Sequence, residues 1–284
     1  MTPNKAASPR TETAVQRVAA PTFLTPYLDG DTSTEKLIQH RILPRLHPLD
    51  DGEEVLKDAL RAHGVASVIM VPSNILVAKA EERFKFVPFF FFPEYLSWRD
   101  RKDKGGGRRV TERTYDENSD LARKAKDERR RVEAYGPADP QTGQPSFKMS
   151  HVEYLRFAGI LYDHPELHGE PCVVSFAKGN HFQGASLISA MATRKVPNSE
   201  GERVIAPCWS TVWELWGEET ANAEGSWSRF GFSAPTDGSS PWIREEESEK
   251  FRAEHQLLRK QYAEKILTTA DEGEGEDGEV KTDF

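Results

Sequence analysis

Apolar residues in this chain come in short runs separated by polar stretches, and the spacing inside each run predicts its element. Val65 to Val71 is a β-branched run closed by Pro72, and Phe84 to Phe92 is an aromatic run closed by Pro93. Both read as strands, with Pro88 marking an edge or a bulge in the second because it has no backbone N–H to donate. Even spacing of Val152, Tyr154, Ala158, Ile160 and Tyr162 predicts another strand. Pro171 to Ala177 reads as a buried strand, turned by Lys178-Gly179-Asn180 into a helix from Phe182 to Thr193, where Phe182, Ala185, Leu187, Ile188 and Met191 share a side. Two aromatic strands, Pro207 to Glu219 and Ser226 to Ala234, form the clearest hairpin, joined by a loop from Thr220 to Gly225. Ser240-Pro241 opens a long helix to about Leu267, with Phe251, Leu258, Tyr262 and Ile266 as its apolar stripe. Shorter helices are expected at Thr34 to His40 and at Asp51 to Arg61, the latter with acidic residues in its first turn and Gly64 as its stop.

The polar intervals set the boundaries. Residues 1–20 lack any period and read as a disordered leader. Residues 21–240 read as the main domain, with a basic insertion at about 99–144 that carries a charged helix, Ser119 to Glu133. Residues 241–268 are the C-terminal helix and 269–284 a disordered acidic tail. The fold class this implies is mainly β with helical additions, α+β in the broad sense, with a small β-barrel favoured and an open sheet as the alternative. No internal repeat is visible.

Composition alters this picture at one point. Of 284 residues, 37% are hydrophobic and 30% charged, and the formal net charge is −8, which argues against a nucleic-acid partner. From Asp271 to Phe284, however, seven acidic residues face the single Lys281, so the tail alone carries −6. Removing it leaves the body close to neutral, and from Arg83 to Arg156 seventeen Lys and Arg outnumber twelve Asp and Glu. Charge is therefore segregated. Two cysteines are too few for a disulfide framework, no apolar run is long enough for a membrane helix, and the first residues lack a signal-peptide pattern. A soluble, cytoplasmic protein is expected.

Three groups of residues could carry function. The first is the basic segment: Arg99, Arg101, Lys102, Arg108 and Arg109 follow Tyr95 and Trp98 and flank Gly105-Gly106-Gly107, which sets cations beside rings as a single-strand groove requires. Lys178, His181, Arg194 and Lys195, at the two ends of the expected Phe182 helix, add phosphate-contacting candidates. The second is the hairpin. Period two sets Trp209 and Trp213 on one face of its first strand and Trp216 on the other, and puts Trp227 with Arg229 on the side opposite Phe230 and Phe232. Trp227 with Arg229 is the preferred outward pair. The third is the tail, where Asp277, Glu279, Asp283 and Phe284 offer a partner charge, a ring and a carboxylate; a plain solubility role is the competing reading. His164, His168, Cys172 and Cys208 are weak zinc candidates, since Pro165 and Pro171 make the histidine pair a loop. No cofactor is expected, and GxxxxGK[ST], GxSxG and HExxH are all missing from the sequence, so an enzyme is not the favoured class.

The tail from Asp271 to Phe284, with its Asp283-Phe284 ending, resembles that of bacteriophage single-stranded DNA-binding proteins of the OB-fold type. Phe86 to Arg99, Val173 to Ser189 and the Trp209 to Phe232 hairpin are similar to segments of the same family. The resemblance implies an OB-like barrel that coats exposed single strands in replication and recombination, without catalysis, and recruits replication or recombination proteins through its tail. It is compatible with a homo-oligomer and with no membrane. A metal-dependent nuclease and a virion assembly protein are the alternative expectations.

Overall fold

The computed structural model describes residues 42–51, 56–100, 108–127, 134–135, 148–223, 225–264, 267–269 and 281–283. In chain order the strands are β1 (Ile42–Leu43), β2 (Arg45–Pro48), β3 (Val68–Val71), β4 (Ile75–Ala78), β5 (Phe84–Asp100), β6 (Arg108–Thr114), β7 (Ala134–Tyr135), β8 (Lys148–Tyr162), β9 (Pro171–Ala177), β10 (Lys195–Pro197), β11 (Arg203–Ile205), β12 (Trp213–Asn222), β13 (Gly225–Ser233), β14 (Thr268–Thr269) and β15 (Lys281–Asp283). Among the described residues four helices join them: α1 (Lys57–His63), α2 (Asp120–Asp127), α3 (His181–Thr193) and α4 (Ser248–Ala263). The result is a β-rich α+β fold, in line with the expected class.

The long strands β5 and β8 are its spine, paired antiparallel from Lys85 opposite Tyr162 to Arg99 opposite Met149. At one end the sheet runs β13-β12-β5-β8-β9-β2-β3-β4. At the other, β6 takes over the edge of β5 and β7 that of β8, forming an arm. The main sheet curls into a half-barrel. Its hairpin end is tied to the opposite end through the Ser228 N–H, which donates to Asp50 Oδ1 at 3.1 Å, and the Ser228 hydroxyl, which donates to the Leu49 carbonyl at 2.7 Å. The Glu81 N–H closes on the Gly217 carbonyl at 2.8 Å.

Alternation along the strands fills two cores. One face packs Phe86, Phe157, Phe176, Leu215 and Phe230 against Leu187 and Met191 of α3, and the other packs Val87, Phe92, Ile160 and Val173 against Phe251 and Leu258 of α4. The β5–β8 register shifts between Pro88 and Phe90, which turns both Phe89 and Phe90 toward α4. Phe89 then meets Phe251 at 6.1 Å and Phe90 meets Tyr262 at 5.7 Å between ring centroids. Pro88 thus marks a bulge, in a central strand rather than at an edge.

Several boundaries differ from expectation for local reasons. Cys208–Ser210 forms a 3-10 turn, so the hairpin starts at Trp213, and β12 continues to Asn222, which pairs directly with Gly225. Gly225 lies at φ 146°, a backbone region that a side chain would strain. The last helix starts at Ser248 behind the 3-10 turn Glu245–Glu247. Much of the basic insertion is the arm itself, since β5 runs through Asp100 and β6 returns from Arg108, and its described helix is only α2. The short strands β2 and β4 carry no signal of their own. Residues 1–20 and Thr34 to His40 lie outside the described residues, as does most of the tail. One part of the tail corrects the expectation of disorder: Lys281–Asp283 pair parallel to β6.

Candidate nucleic-acid interface

The corner where β9 passes into α3 brings together three of the expected residues, Lys178, His181 and Trp227. Lys178–Asn180 makes a 3-10 turn, with Lys178 itself in the left-handed region at φ 49°, and α3 begins at His181. Gly179 lies directly under the Trp227 indole. A Cβ at that position would stand 2.8 Å from Trp227 Nε1 and 3.0 Å from Cε2, so glycine is what lets strand β13 lay its ring on this turn. Lys178 is exposed, and Phe182 in the first turn of α3 is 78% exposed, the most open large apolar side chain among the described residues. The first turn of α3 itself holds no acidic residue and no side-chain cap.

The outward face of the hairpin continues from this corner. Register puts Trp227 opposite Thr220, Arg229 opposite Glu218 and Gly231 opposite Trp216, all on the side away from the buried Phe230. Arg229 Nε donates to Glu218 Oε1 at 2.7 Å, and Trp216 Nε1 donates to Glu218 Oε2 at 2.9 Å. Arg83 lies over the Trp216 ring at 4.2 Å and donates to Glu214 Oε2 at 3.0 Å. Burial alone would raise the Glu214 carboxyl, but the Thr236 N–H and hydroxyl together with Arg83 outweigh it and hold the group below its ordinary range. The face is a half-exposed row of rings and cations, orientated by two carboxylates. His181 is braced from behind: its Nε2 is 2.9 Å from Glu153 Oε2, and the Tyr95 hydroxyl donates to Glu153 Oε1 at 3.4 Å.

Other expected residues are placed differently. Tyr95, Trp98 and Trp213 are buried, which corrects their reading as stacking platforms. Tyr95 packs with Leu121, Ala122 and Ala125 of α2, and Trp98 with Leu96, Val110 and Val152 in the arm. Trp213 sits in the core with the Arg194 guanidinium 3.8 Å over its ring, and its Nε1 donates to Thr211 Oγ1 at 3.1 Å. Arg194 is a clamp rather than a phosphate ligand, donating to the Val212 and Pro241 carbonyls at 3.1 and 3.0 Å, and its burial lowers its pKa. Trp209 is half-buried in its 3-10 turn against the α4 core, and Lys195 is exposed on β10. Arg99 pairs with Arg109 and Asp100 with Arg108 at the tip of the arm, where only the backbone is described. Arg101, Lys102, Asp277, Glu279 and Phe284 lie outside the described residues, and Asp283 pairs with Thr114.

A charged group that sequence reading missed lies inside the arm. Glu94 is fully buried between Arg113, at 3.3 Å, and Arg156, which is itself 1% exposed. Beside it, burial first and then the Glu94 charge push the Tyr115 hydroxyl well above its ordinary range. Register was the signal: Glu94 stands two residues from Phe92, which pairs with Arg156. The zinc candidates do not converge. His164 Nε2 faces the Val77 carbonyl at 3.0 Å, and His168 Nε2 faces Glu247 Oε1 at 2.9 Å. Cys172 is a core residue whose thiol burial pushes far up. Among the described residues no group of three or more His, Cys, Asp or Glu could hold a metal ion.

The family model for Pam3 phage gp34-like proteins matches residues 71–263, more than half of the chain. The chain belongs to that family. The matched span runs from the last residue of β3 through α4, and so includes both the arm and the Lys178 corner, while the tail lies beyond it. The Pam3 phage gp34-like family points to a phage protein, as the resemblance implied. Neither among curated proteins nor among solved structures does anything match. No helix among the described residues is long and apolar enough to cross a membrane.

Proposed function

We propose that this protein binds single-stranded DNA, with its curled sheet serving as an OB-type platform and the Lys178 corner as the entry to the binding face. The observation that carries this reading is the half-exposed Trp227 ring lying on Gly179, next to exposed Lys178 in the turn that leads to exposed Phe182, with Arg229 on the same face of β13. Rings accept bases by stacking, at about 1–3 kcal/mol per base without regard to sequence, and cations follow the backbone. Paired bases in a duplex offer no such faces, so the single strand is preferred. No bond is made or broken. The bound strand would be handed on during replication or recombination, and the acidic tail beyond the family-matched span would recruit the proteins that act next.

The test is a titration of tryptophan emission with oligo(dT), repeated with duplex DNA and at rising salt. Quenching by oligo(dT) at low salt, a weaker response to duplex, and loss of affinity as salt rises are expected. No change in emission, or equal binding of duplex, would overturn the reading. Incubation of the same complexes with magnesium or manganese distinguishes binding from cleavage.

A further inference from the structure

The outer edge of β6 supports an inference independent of the nucleic-acid reading. β6 pairs with β5 on one side only, and on its other side the backbone of Lys281, Thr282 and Asp283 runs parallel to it, opposite Glu112, Arg113 and Thr114. The receiving strand is held without help from its occupant. Arg113 and Thr114 are buried, Arg113 reaches Glu94 at 3.3 Å, the Thr111 hydroxyl donates to the Ser97 carbonyl at 3.2 Å, and the Asp116 N–H donates to Thr114 Oγ1 at 3.1 Å. The occupying segment, by contrast, contributes three residues, too few for a strand pair to persist through backbone bonds alone. It is tethered through residues 270–280, a Gly- and Glu-rich sequence that reaches up to ~40 Å when extended. Charge favours the match, since β6 opens with Arg108 and Arg109 and the tail carries an excess of acid.

We propose that this edge of β6 is a strand-acceptor site for a parallel peptide with the chain's own C-terminal sequence, closed in cis by Lys281–Asp283 and open to the same segment supplied in trans. The acceptor lies inside the family-matched span and the occupant outside it, so the body provides the site and the tail its ligand. Main-chain pairing supplies the attachment, as in other β-augmentation sites, and the tether raises the local concentration of the tail to the millimolar range.

A disulfide trap tests this in the full-length chain carrying Cys208→Ser. Glu112→Cys with Lys281→Cys, which the register sets opposite each other, should oxidise to an intramolecular disulfide at several times the yield of a control pairing Glu112→Cys with Asp277→Cys. A millimolar synthetic peptide of residues 277–284 should lower that yield at least twofold, and a scrambled peptide should leave it unchanged. Equal yields in the two variants, or insensitivity to the peptide, would overturn the proposal.

Discussion

The arm and the Lys178 corner are made of the same residue types, aromatics beside arginine and lysine, yet they present opposite surfaces. In the arm the rings are spent on packing: Tyr95 lies under α2, Trp98 is enclosed by Leu96, Val110 and Val152, and Arg113 and Arg156 converge on the buried Glu94. At the corner, Trp227 lies on a glycine with its flank open, Phe182 projects from the first turn of α3, and Lys178 is exposed. What separates them is the pairing of strands. In the arm β5 lies between β8 and β6, so Tyr95 and Trp98 are both enclosed, whereas β13 ends the main path and turns one face outward.

The sharpest way to break this contrast is at Glu94. If the arm's arginines are structural, Glu94→Ala leaves two buried guanidiniums without their shared counter-charge. A loss of about 3–5 kcal/mol is expected in urea unfolding, as when one partner of a buried pair is removed. A change below ~1 kcal/mol would mean that the arm opens to water and that its cations are available to a ligand after all.

The contrast also explains what the sequence could and could not disclose. Period-two spacing was enough to set Trp227 and Phe230 on opposite faces, and the helical spacing of Ala185, Leu187, Ile188 and Met191 to place a helix within a residue of its start at His181, because each depends only on neighbours along the chain. The burial of Trp98 and Tyr95 depends instead on β6, β8 and α2 arriving from distant positions, and a lysine- and arginine-rich stretch gives no sign of which cations will be internal. Trp213 was misjudged for a related reason. Period two set it on one face with Trp209, but the 3-10 turn at Cys208–Ser210 carries Trp209 to the α4 core, while the Arg194 guanidinium lies over Trp213. Phe182 was taken as part of the apolar side of its helix, although α3 buries only Gly184, Leu187 and Met191.

Two tryptophans of one hairpin sharpen the comparison next. Trp213→Ala should cost about 3–5 kcal/mol of stability, as expected for a fully packed ring. Trp227→Ala and Phe182→Ala should instead leave the unfolding midpoint nearly unchanged and each reduce oligo(dT) affinity by about 1–3 kcal/mol. Equal loss of stability at positions 213 and 227 would make the corner a core like the arm.

Acid should act on the hairpin through Glu214. Its folded-state pKa lies below the ordinary 4.5, because Thr236 and Arg83 favour the charged form more than burial opposes it. The contribution to stability is therefore fully present above about pH 4.5 and is lost as pH falls through the lower folded value. Glu214→Gln should flatten the fall of Tm in that acid window while leaving its slope near neutrality unchanged. An identical acid limb in the variant would show that Arg83 and Thr236 do not hold the carboxylate in solution.

The smallest effect is at Lys178, and it separates contact from packing most cleanly. An exposed lysine on a turn stabilises the fold little, so Lys178→Ala should unfold like the parent protein. If its ammonium neutralises one phosphate of a bound single strand, the slope of log affinity against log salt should become shallower by about 0.7, the counterion released at one contact. Charge acting only as part of the protein's general field would lower affinity with a change in slope well short of one released counterion. The measurement distinguishes the two because a general field is screened smoothly over the Debye length, whereas a direct contact exchanges a discrete ion. A shallower slope at Lys178, together with an unchanged one for the buried Arg156→Met, would assign phosphate contact to the corner and structural charge to the arm.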